Sequence, residues 1–514
     1  MELKTQVAIV GGGIAGAGIA RDLAQRGIEF ILMEKGDLAN GASGRNHGYL
    51  HSGARYVVND PPAAKECIQE NQILKKIAPG CIEDTGGLFV SLPEDNSTFR
   101  DQFLMSCEEI GIPTRCLTPS EALELEPELS PDITGAIQVP DAAIDPFLLV
   151  FANIEEAGKY GSEILTRTAV TRLIRRRNRI SGVEASNVET GEPLTVHADF
   201  VINAAGAWAD KIAGLADLSL PLELSKGSMV VSNRRVSHRV IHRCRLPSDG
   251  DIVVPNHTVS ILGTTSLKTT ELERLSVEPG EVSFLIDESS KMLPCLKEVR
   301  YIRAYAGVRP LFKADSGQDS RELSRGFVLL DHELQDGVKN FITITGGKLI
   351  TYRLMAEKTV DLICQKMGRQ IPCKTHITPL VELKGRDRGR GEYLKGLDQE
   401  ADKRDAEIIC DCELITRGEL EKAVGNLSLK GLREILHRTR LAKGTCQGAF
   451  CSYRLLGMLH AMGYVKGVNS NAQLREFLEE RWRGVRPVLW GDQLREHQFI
   501  EEIYLGILNL DKAK

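Results

Sequence analysis

The distribution of apolar residues predicts a strand–helix–strand unit in the first thirty-five positions. Val7-Ala8-Ile9-Val10 is an uninterrupted, β-branched run and reads as a buried strand. Gly11-Gly12-Gly13-Ile14-Ala15-Gly16 follows at once. From Ile14 to Arg26 the apolar positions recur at helical spacing, and Gly27 ends the helix. Phe30-Ile31-Leu32-Met33 is a second apolar strand, and it ends on Glu34.

Further along, residues 62–80 and 99–111 are helical in period, the second ending at Gly111, and 88–92 and 135–139 read as strands. Residues 119–128 form a capped, acidic, leucine-bearing segment. Asp145 and Pro146 supply the N-cap and first position of a helix that runs to about Tyr160. Residues 162–196 hold two or three strands with a hairpin tip at 189–192; the basic residues between Arg172 and Arg179 fit a solvated face or an anion contact. The strand Phe200-Val201-Ile202-Asn203 runs into Ala204-Ala205-Gly206-Ala207 and then into a helix, which returns the chain to the layer it began in. What lies between is therefore inserted, not appended. Short β-like runs at 228–232, 251–254, 259–263 and 327–330 predict a mixed sheet. Phe341-Ile342-Thr343-Ile344-Thr345 then leads through Gly346-Gly347 into another helix. Around 384–405 charges alternate and glycines interrupt any period, so 376–405 reads as a linker. Short helices are expected at 416–424 and 429–440. In the tail, Phe499, Ile500, Ile503, Tyr504, Ile507 and Leu508 fall on one helical stripe, suited to packing on the chain's own body or to a partner or membrane surface.

Gly11, Gly13 and Gly16 fit G-x-G-x-x-G, placed between a strand and a helix. The first glycine permits the tight turn, the second lets backbone approach a pyrophosphate, and the third lets helix and strand pack closely. The helix N-terminus offers N–H groups to phosphate. Glu34, eighteen residues past Gly16, can accept from ribose hydroxyls. The order of these pieces points to dinucleotide binding. A single fingerprint, with no second one downstream, favours FAD over NAD. The candidate cofactor contacts are Gly11, Gly13, Ile14, Ala15 and Gly16 at the turn, then Glu34 and Lys35 at the tip of the second strand. Ser43 and Gly48 in the glycine-rich loop join them, with Val170, Ala205 and Gly206, and Gly346, Gly347, Lys348 and Leu349 at the last glycine pair.

Composition narrows the class. The 514 residues are 42% hydrophobic and 26% charged with net charge −5, which suits a globular protein of several domains and argues against a general nucleic-acid binder. The segment before Val7 has no apolar leader, and no apolar run approaches the length of a membrane span, so the expected location is cytoplasmic or peripheral. Eight of the twelve cysteines have no ligand-like spacing and read as buried thiols. Cys410-Asp411-Cys412 and, after thirty-three intervening residues, Cys446 and Cys451 differ: four thiolates gathered this way suit a [2Fe–2S] cluster or structural zinc. The C-x-C start is unusual for zinc. An iron–sulfur centre beside a flavin would also give a two-electron acceptor a one-electron exit.

His51-Ser52-Gly53-Ala54-Arg55-Tyr56, Ala306-Gly307-Val308-Arg309-Pro310 and Gly346-Gly347-Lys348, with the glycine fingerprint, resemble the FAD-dependent glycerol-3-phosphate dehydrogenases over residues 7–353. The cysteine quartet resembles the bacterioferritin-associated ferredoxin-like domain, whose pattern is C-x-C then C-x-x-C; here the second pair is wider by two residues. With it and the tryptophan-bearing tail, the chain looks like the large catalytic A subunits of the anaerobic bacterial enzymes. The resemblance implies an α/β fold: a Rossmann-like FAD domain with an inserted mixed-sheet, D-amino-acid-oxidase-like substrate domain and a small helical [2Fe–2S] domain. It divides the chain into 1–375, the linker 376–405, 406–465 and the tail 466–514. It implies oxidation of sn-glycerol 3-phosphate to dihydroxyacetone phosphate, a flavin-bearing B subunit, an iron–sulfur membrane-anchoring C subunit, a quinone as final acceptor and a peripheral position on the inner face of the cell membrane.

A phosphomonoester carries nearly two charges, which guanidinium groups match well. By resemblance Arg55, Arg309 and Arg325 contact it, although a surface ion pair competes for Arg325. His51 is a base, a substrate-positioning group or a structural histidine, with Tyr56 beside it. Lys348 can supply positive charge near the flavin or the substrate oxygen. Aerobic relatives carry a histidine after a Lys-Gly-Ser turn; here Met229 follows Lys226-Gly227-Ser228. Two rival readings are an oxidase or dehydrogenase of 2-hydroxy acids or secondary amines, and a non-catalytic electron relay.

Overall fold

The strand β1 (Glu2–Val10) starts five residues before the apolar run, because residues 2–5 pair with 195–198 of the strand Pro193–Asn203. The structure, a computed structural model, describes residues 1–313, 326–381, 405–425, 432–465 and 468–512. In it β1 lies parallel both to β2 (Phe30–Met33) and to Pro193–Asn203. Glu163–Leu165 extends the sheet beyond β2, and Phe341–Gly346 extends it beyond Pro193–Asn203, again parallel. Val7, Ala8 and Ile9 are completely buried, as befits a central parallel strand covered on both faces. The helix α1 (Ile14–Gln25) covers one face with Pro146–Gly158 and Tyr352–Lys366. On the other, Thr168–Arg176, Arg179–Asn187 and the short helix Ala209–Gly214 close the core. The parallel strands all end along one edge, the place where such sheets bind nucleotides.

The inserted sheet has nine strands from two separate stretches of chain. Gly87–Ser91, Arg115–Leu117 and Gly135–Val139 come from the first; six strands between Leu222 and Phe312 come from the second. Parallel pairing of Gly87–Ser91 with Val240–Arg243 joins them. Three expectations change here. The run at 327–330 does not belong to this sheet: Phe327–Asp331 pairs antiparallel with Phe341–Gly346 in the nucleotide sheet, since the short helix His332–Asp336 folds it straight back onto its sequence neighbour. Lys226-Gly227-Ser228 is not a turn but the middle of the strand Leu222–Ser232, paired with Tyr301–Phe312. The β-like runs also hid a helix, Pro279–Met292, which a capping box between Glu278 and Glu281 starts.

The C-terminal region places Cys410 on a small hairpin, Ile408–Cys410 with Ile415–Thr416, and Cys451 at the start of the helix Cys451–Ala461. Helices Arg417–Gly425 and Leu432–Arg438 fall where the period predicted them. The tail shares this region's core: Leu474, Phe477, Trp482 and Tyr504 pack with Ile409, Leu420 and Leu455. The tail stripe splits, however. Tyr504 is buried while Phe499 and Ile507 are 67% and 73% exposed, and Ile503–Ile507 winds as a wider π turn. Cys116, grouped with the buried thiols, is exposed. The expected linker falls largely outside the described residues.

This C-terminal unit is fastened to the nucleotide domain by charge. Asp37, three residues past Glu34, receives both terminal nitrogens of Arg438 at 3.0 and 3.1 Å and faces His437 Nδ1 at 2.8 Å. The Arg438 guanidinium also lies 4.6 Å over the Phe151 ring. Arg440 bridges Glu413 at 2.8 Å and Asp145 at 3.4 Å. These partners hold the Asp37 carboxyl down to about 2 against the opposing effect of burial. Replacing Asp37 by Asn leaves a mostly buried guanidinium without its counter-charge, a loss of about 3–5 kcal/mol. In scanning calorimetry the C-terminal unit of Asp37→Asn should then melt in a separate, earlier transition. An unchanged trace would mean that the ion pairs do not hold the two parts together.

Candidate active site

A cavity of about 1010 Å³ opens at the carboxyl ends of the parallel strands. It is large enough for a dinucleotide with a small substrate beside it. Its floor is the turn after β1. Gly11 has φ +116°, and a Cβ there would meet Ala204 O at 2.6 Å, so only glycine makes this turn. Gly13, Ile14 and Ala15 line the cavity at the start of α1, and the Ile14 N–H donates to Ser43 Oγ at 2.9 Å. Glu34 lines it too. Its carboxylate accepts from Gly12 N at 2.7 Å and Gly36 N at 2.9 Å, so it braces the phosphate turn as well as facing the cavity; each oxygen keeps a lone pair. Burial, the largest influence, raises its carboxyl above the usual range.

Val170, Ala205, Gly206, Gly346, Gly347, Lys348 and Leu349 complete this lining. Lys35 stands at the cavity wall, 2.5 Å from Glu273 and 4.3 Å over the Trp208 ring, which ties the inserted domain to the nucleotide domain. Gly16 and Gly48 are not part of the wall. A Cβ on Gly16 would lie 1.9 Å from Gly11 O, so it packs helix against turn, and one on Gly48 would strike Ile144 O at 2.6 Å. The glycine cradle, the bare strand ends and the start of α1 together fit an FAD.

The inserted sheet closes the other end of the cavity with cations. Arg309 reaches across from Tyr301–Phe312: Nη1 donates to Thr265 O at 3.2 Å and Nη2 to Thr264 Oγ1. Gly227, on the neighbouring strand, makes the room, since a Cβ there would sit 2.4 Å from Arg309 Nη2. Arg55 Nη2 donates to Ser248 O at 2.9 Å and approaches Asp251 at 3.4 Å, while its Nη1 is buried without a partner among the described residues. Lys348 Nζ lies 4.7 Å over the Tyr56 ring. Thus Arg55, Tyr56, Arg309, Lys348 and His51 share one cavity. Arg325 lies outside the described residues.

His51 has a buried Nδ1 without a partner among the described residues; burial first, then the Lys348 charge, pushes its pKa well below the usual 6.5. The segment that carries it is held by Asp141, which accepts from Tyr49 Oη at 2.9 Å and Ser52 N at 2.6 Å. His242 stacks on Phe89 and faces Asp141 at 3.4 Å without good hydrogen-bond alignment. Asp141 and His242 come from distant parts of the chain, and no local pattern marks either. His47 is a further cavity residue the motifs did not single out, although it lies only four positions before His51. Met229 lines the cavity near it.

In the C-terminal unit the four thiols of Cys410, Cys412, Cys446 and Cys451 converge. Cys446 accepts from Cys412 and Cys451 and from the N–H groups of Gly448 and Phe450, which hold it well below an ordinary thiol. Cys410 accepts from Cys451 and from the N–H groups of Ala442 and Glu413, and it too is lowered. Cysteine sulfurs gathered together and receiving backbone N–H groups fit an iron–sulfur centre. Elsewhere among the described residues, Glu357, Cys373 and His376 bring ligand atoms within 4.8 Å of one another. Glu357 is already paired with Arg353 at 2.5 Å, and burial keeps the Cys373 thiol protonated.

Comparison with known proteins agrees with this geometry. A family model described as FAD dependent oxidoreductase matches residues 6–353, and one described as BFD-like [2Fe-2S] binding domain matches residues 408–461. The A subunit of the anaerobic glycerol-3-phosphate dehydrogenase of Escherichia coli K12 is 45% identical over 99% of this chain and 98% of its own. Its Haemophilus influenzae counterpart is 42% identical over 100% and 94%. The crystal structure of the Bacillus halodurans glycerol-3-phosphate dehydrogenase with FAD superposes with a TM-score of 0.64 at 22% identity, covering 95% of this chain and 96% of that one. The cofactors are therefore FAD and a [2Fe–2S] cluster, not zinc.

His47, His51 and His242 all have depressed pKa values, His47 down to about 3, with burial the leading cause in each. In the fold they stay neutral where the unfolded chain takes up protons. Stability is therefore fully present above about pH 6.5 and is lost below it, by about 1.4 kcal/mol per pH unit for each histidine. The apoprotein's melting temperature should fall more steeply between about pH 7.5 and 5.5 than that of a His47→Gln, His51→Gln double variant. Equal slopes would show that these side chains are protonated in the fold.

Proposed function

The chain belongs to the family of the anaerobic glycerol-3-phosphate dehydrogenase A subunits, and from that premise we propose that it oxidises sn-glycerol 3-phosphate to dihydroxyacetone phosphate. The observation that carries this reading is the presence of Arg55 and Arg309 in the same cavity as the glycine cradle. A carboxylate substrate needs one guanidinium; two fit the nearly dianionic phosphate better. FAD, when bound, supplies the two-electron acceptor for the hydride leaving C2.

The chain's own residues do the rest. Arg55 and Arg309 grip the phosphate and so fix the distance of C2 from the cradle. His51, neutral and beside Lys348, takes the hydroxyl proton; the arriving phosphate charge raises its basicity toward the working pH. Lys348 stabilises negative charge on the substrate oxygen. Cys410, Cys412, Cys446 and Cys451 would hold the [2Fe–2S] cluster, which would supply a one-electron exit; a flavin-bearing B subunit, an iron–sulfur C subunit and a quinone are the acceptors this reading places beyond it. No helix among the described residues is long and apolar enough to cross a membrane. In this reading the C subunit attaches the enzyme to the inner face of the cell membrane. In this reading the catalytic region is 1–375 and the linker 376–405, and the tail 466–514 shares one core with the cluster domain 406–465.

Anaerobic titration of the purified holoprotein with glycerol 3-phosphate should bleach the flavin. Arg309→Ala should lower kcat/KM by about 100-fold, the worth of a charge-assisted contact. Bleaching by a 2-hydroxy acid or a secondary amine but not by glycerol 3-phosphate would overturn the reading. Cys446→Ser should remove the cluster's visible absorption and slow electron delivery to a one-electron acceptor, while the substrate still bleaches the flavin. An undiminished rate in that variant would exclude the cluster from the route.

A further inference from the structure

Two imidazoles line the cavity, and their surroundings differ. His51 sits with Lys348, Tyr56 and Tyr49: its ring centroid is 5.4 Å from that of Tyr56, and Lys348 is the charge that affects it most. His47 shares Tyr49, edge-on at 5.7 Å between ring centroids, but the fixed cations that act on it are arginines and not Lys348. Arg309 is the charge that affects it most, and Arg55 also reaches it. The contacts agree. A Cβ at Gly263 would lie 3.6 Å from His47 Cδ2 and 3.0 Å from Met229 Cγ, and the next residue, Thr264, is the one that receives Arg309 Nη2. His47 and Arg309 therefore both approach the Gly263-Thr264 segment of the inserted sheet.

No hydrogen bond within the described residues uses either ring nitrogen of His47. Nδ1 is covered and unpartnered, while the residue lines the cavity. Burial and the neighbouring cations keep the ring neutral. A neutral imidazole has one N–H and one lone pair. Covering a lone pair costs less than covering an N–H, so the proton belongs on Nε2, the nitrogen that is not covered.

We infer that His47 is a specificity-determining contact for the substrate's phosphate, donating from Nε2 between Arg55 and Arg309, while His51 serves the hydroxyl end. This rests on the proposed phosphomonoester substrate. A neutral donor placed between two fixed cations adds a directed hydrogen bond to an anion without adding to the repulsion between the guanidinium groups.

The test uses the holoprotein with inorganic phosphate as the probe, measured by titration calorimetry, alongside steady-state kinetics with glycerol 3-phosphate. His47→Ala and His47→Phe should weaken phosphate binding and raise KM by roughly 10- to 100-fold, with kcat changed less than about 3-fold. His47→Gln, which keeps an N–H donor, should recover most of the affinity. Since Phe keeps a packed ring and Gln keeps the donor, the Phe–Gln comparison decides the matter even if the Ala variant does not fold. Phosphate affinity equal in wild type and His47→Phe would overturn the inference. So would a fall in kcat at unchanged KM, with loss of the acid limb of the pH–rate profile, which would give His47 the proton-transfer role. A wild-type flavin that glycerol 3-phosphate does not bleach would instead refute the substrate reading, whatever the variants do.

Discussion

The site depends on how the inserted sheet holds two guanidinium groups. Arg55 comes from the short turn Ala54–Tyr56 behind the nucleotide domain, and Arg309 from a long strand of the inserted sheet. Both are pinned by the same stretch, residues 248–265: Ser248 O and Asp251 take Arg55, and Thr264 Oγ1 and Thr265 O take Arg309. Each arginine thereby spends part of its donor set on the protein and is fixed in direction. Guanidinium groups fixed in this way are preorganised for an anion, so little reorganisation is left for the moment of binding. Gly227 is part of the same device, because a larger residue would occupy the space of the Arg309 head.

The nucleotide domain contributes a second constraint, concentrated in a few residues after β2. Glu34 accepts from the Gly12 N–H in the phosphate turn, and Asp37 holds Arg438 and His437 of the cluster unit. This short stretch thus connects the cofactor cradle to the unit that carries the [2Fe–2S] cluster. Phe147 reinforces the link. It stacks on His437 at 5.0 Å, and its ring edge lies 2.7 Å from where a Cβ on Gly44 would be, next to Ser43 of the cradle. Among the described residues, the nucleotide domain and the cluster unit are thus joined through packed contacts as well as ion pairs.

Much of this was legible in the sequence, for local reasons. A glycine fingerprint between a strand and a helix is a contiguous signal, and so are the Asp145-Pro146 cap and the paired cysteines. The segment from His51 to Tyr56 placed three side chains at the site because they are neighbours in the chain. What stayed hidden was set by long-range pairing. An apolar run such as 327–330 announces a strand but not its sheet, and Phe327–Asp331 joined its sequence neighbour. The Lys226-Gly227-Ser228 glycine suggested a turn, whereas it serves close approach within a strand. The helix Pro279–Met292 had a readable start in its capping box, outweighed by the β-like runs on either side. Asp141, His242 and Thr264 act only through partners far away in sequence. His47 was visible but undistinguished until the structure set it beside Arg309.

The central claim is that the phosphate of the substrate lies between Arg55 and Arg309, at the end of the cavity walled by the inserted sheet. A crystal structure of the FAD-loaded enzyme with bound dihydroxyacetone phosphate tests it most directly. The account predicts phosphate oxygens at hydrogen-bond distance, about 2.7–3.2 Å, from Arg55 Nη1 and from the Arg309 head, with the carbonyl directed toward Gly346-Gly347-Lys348. Phosphate seated at the Lys35 mouth, or both guanidinium groups turned away from the ligand, would contradict it.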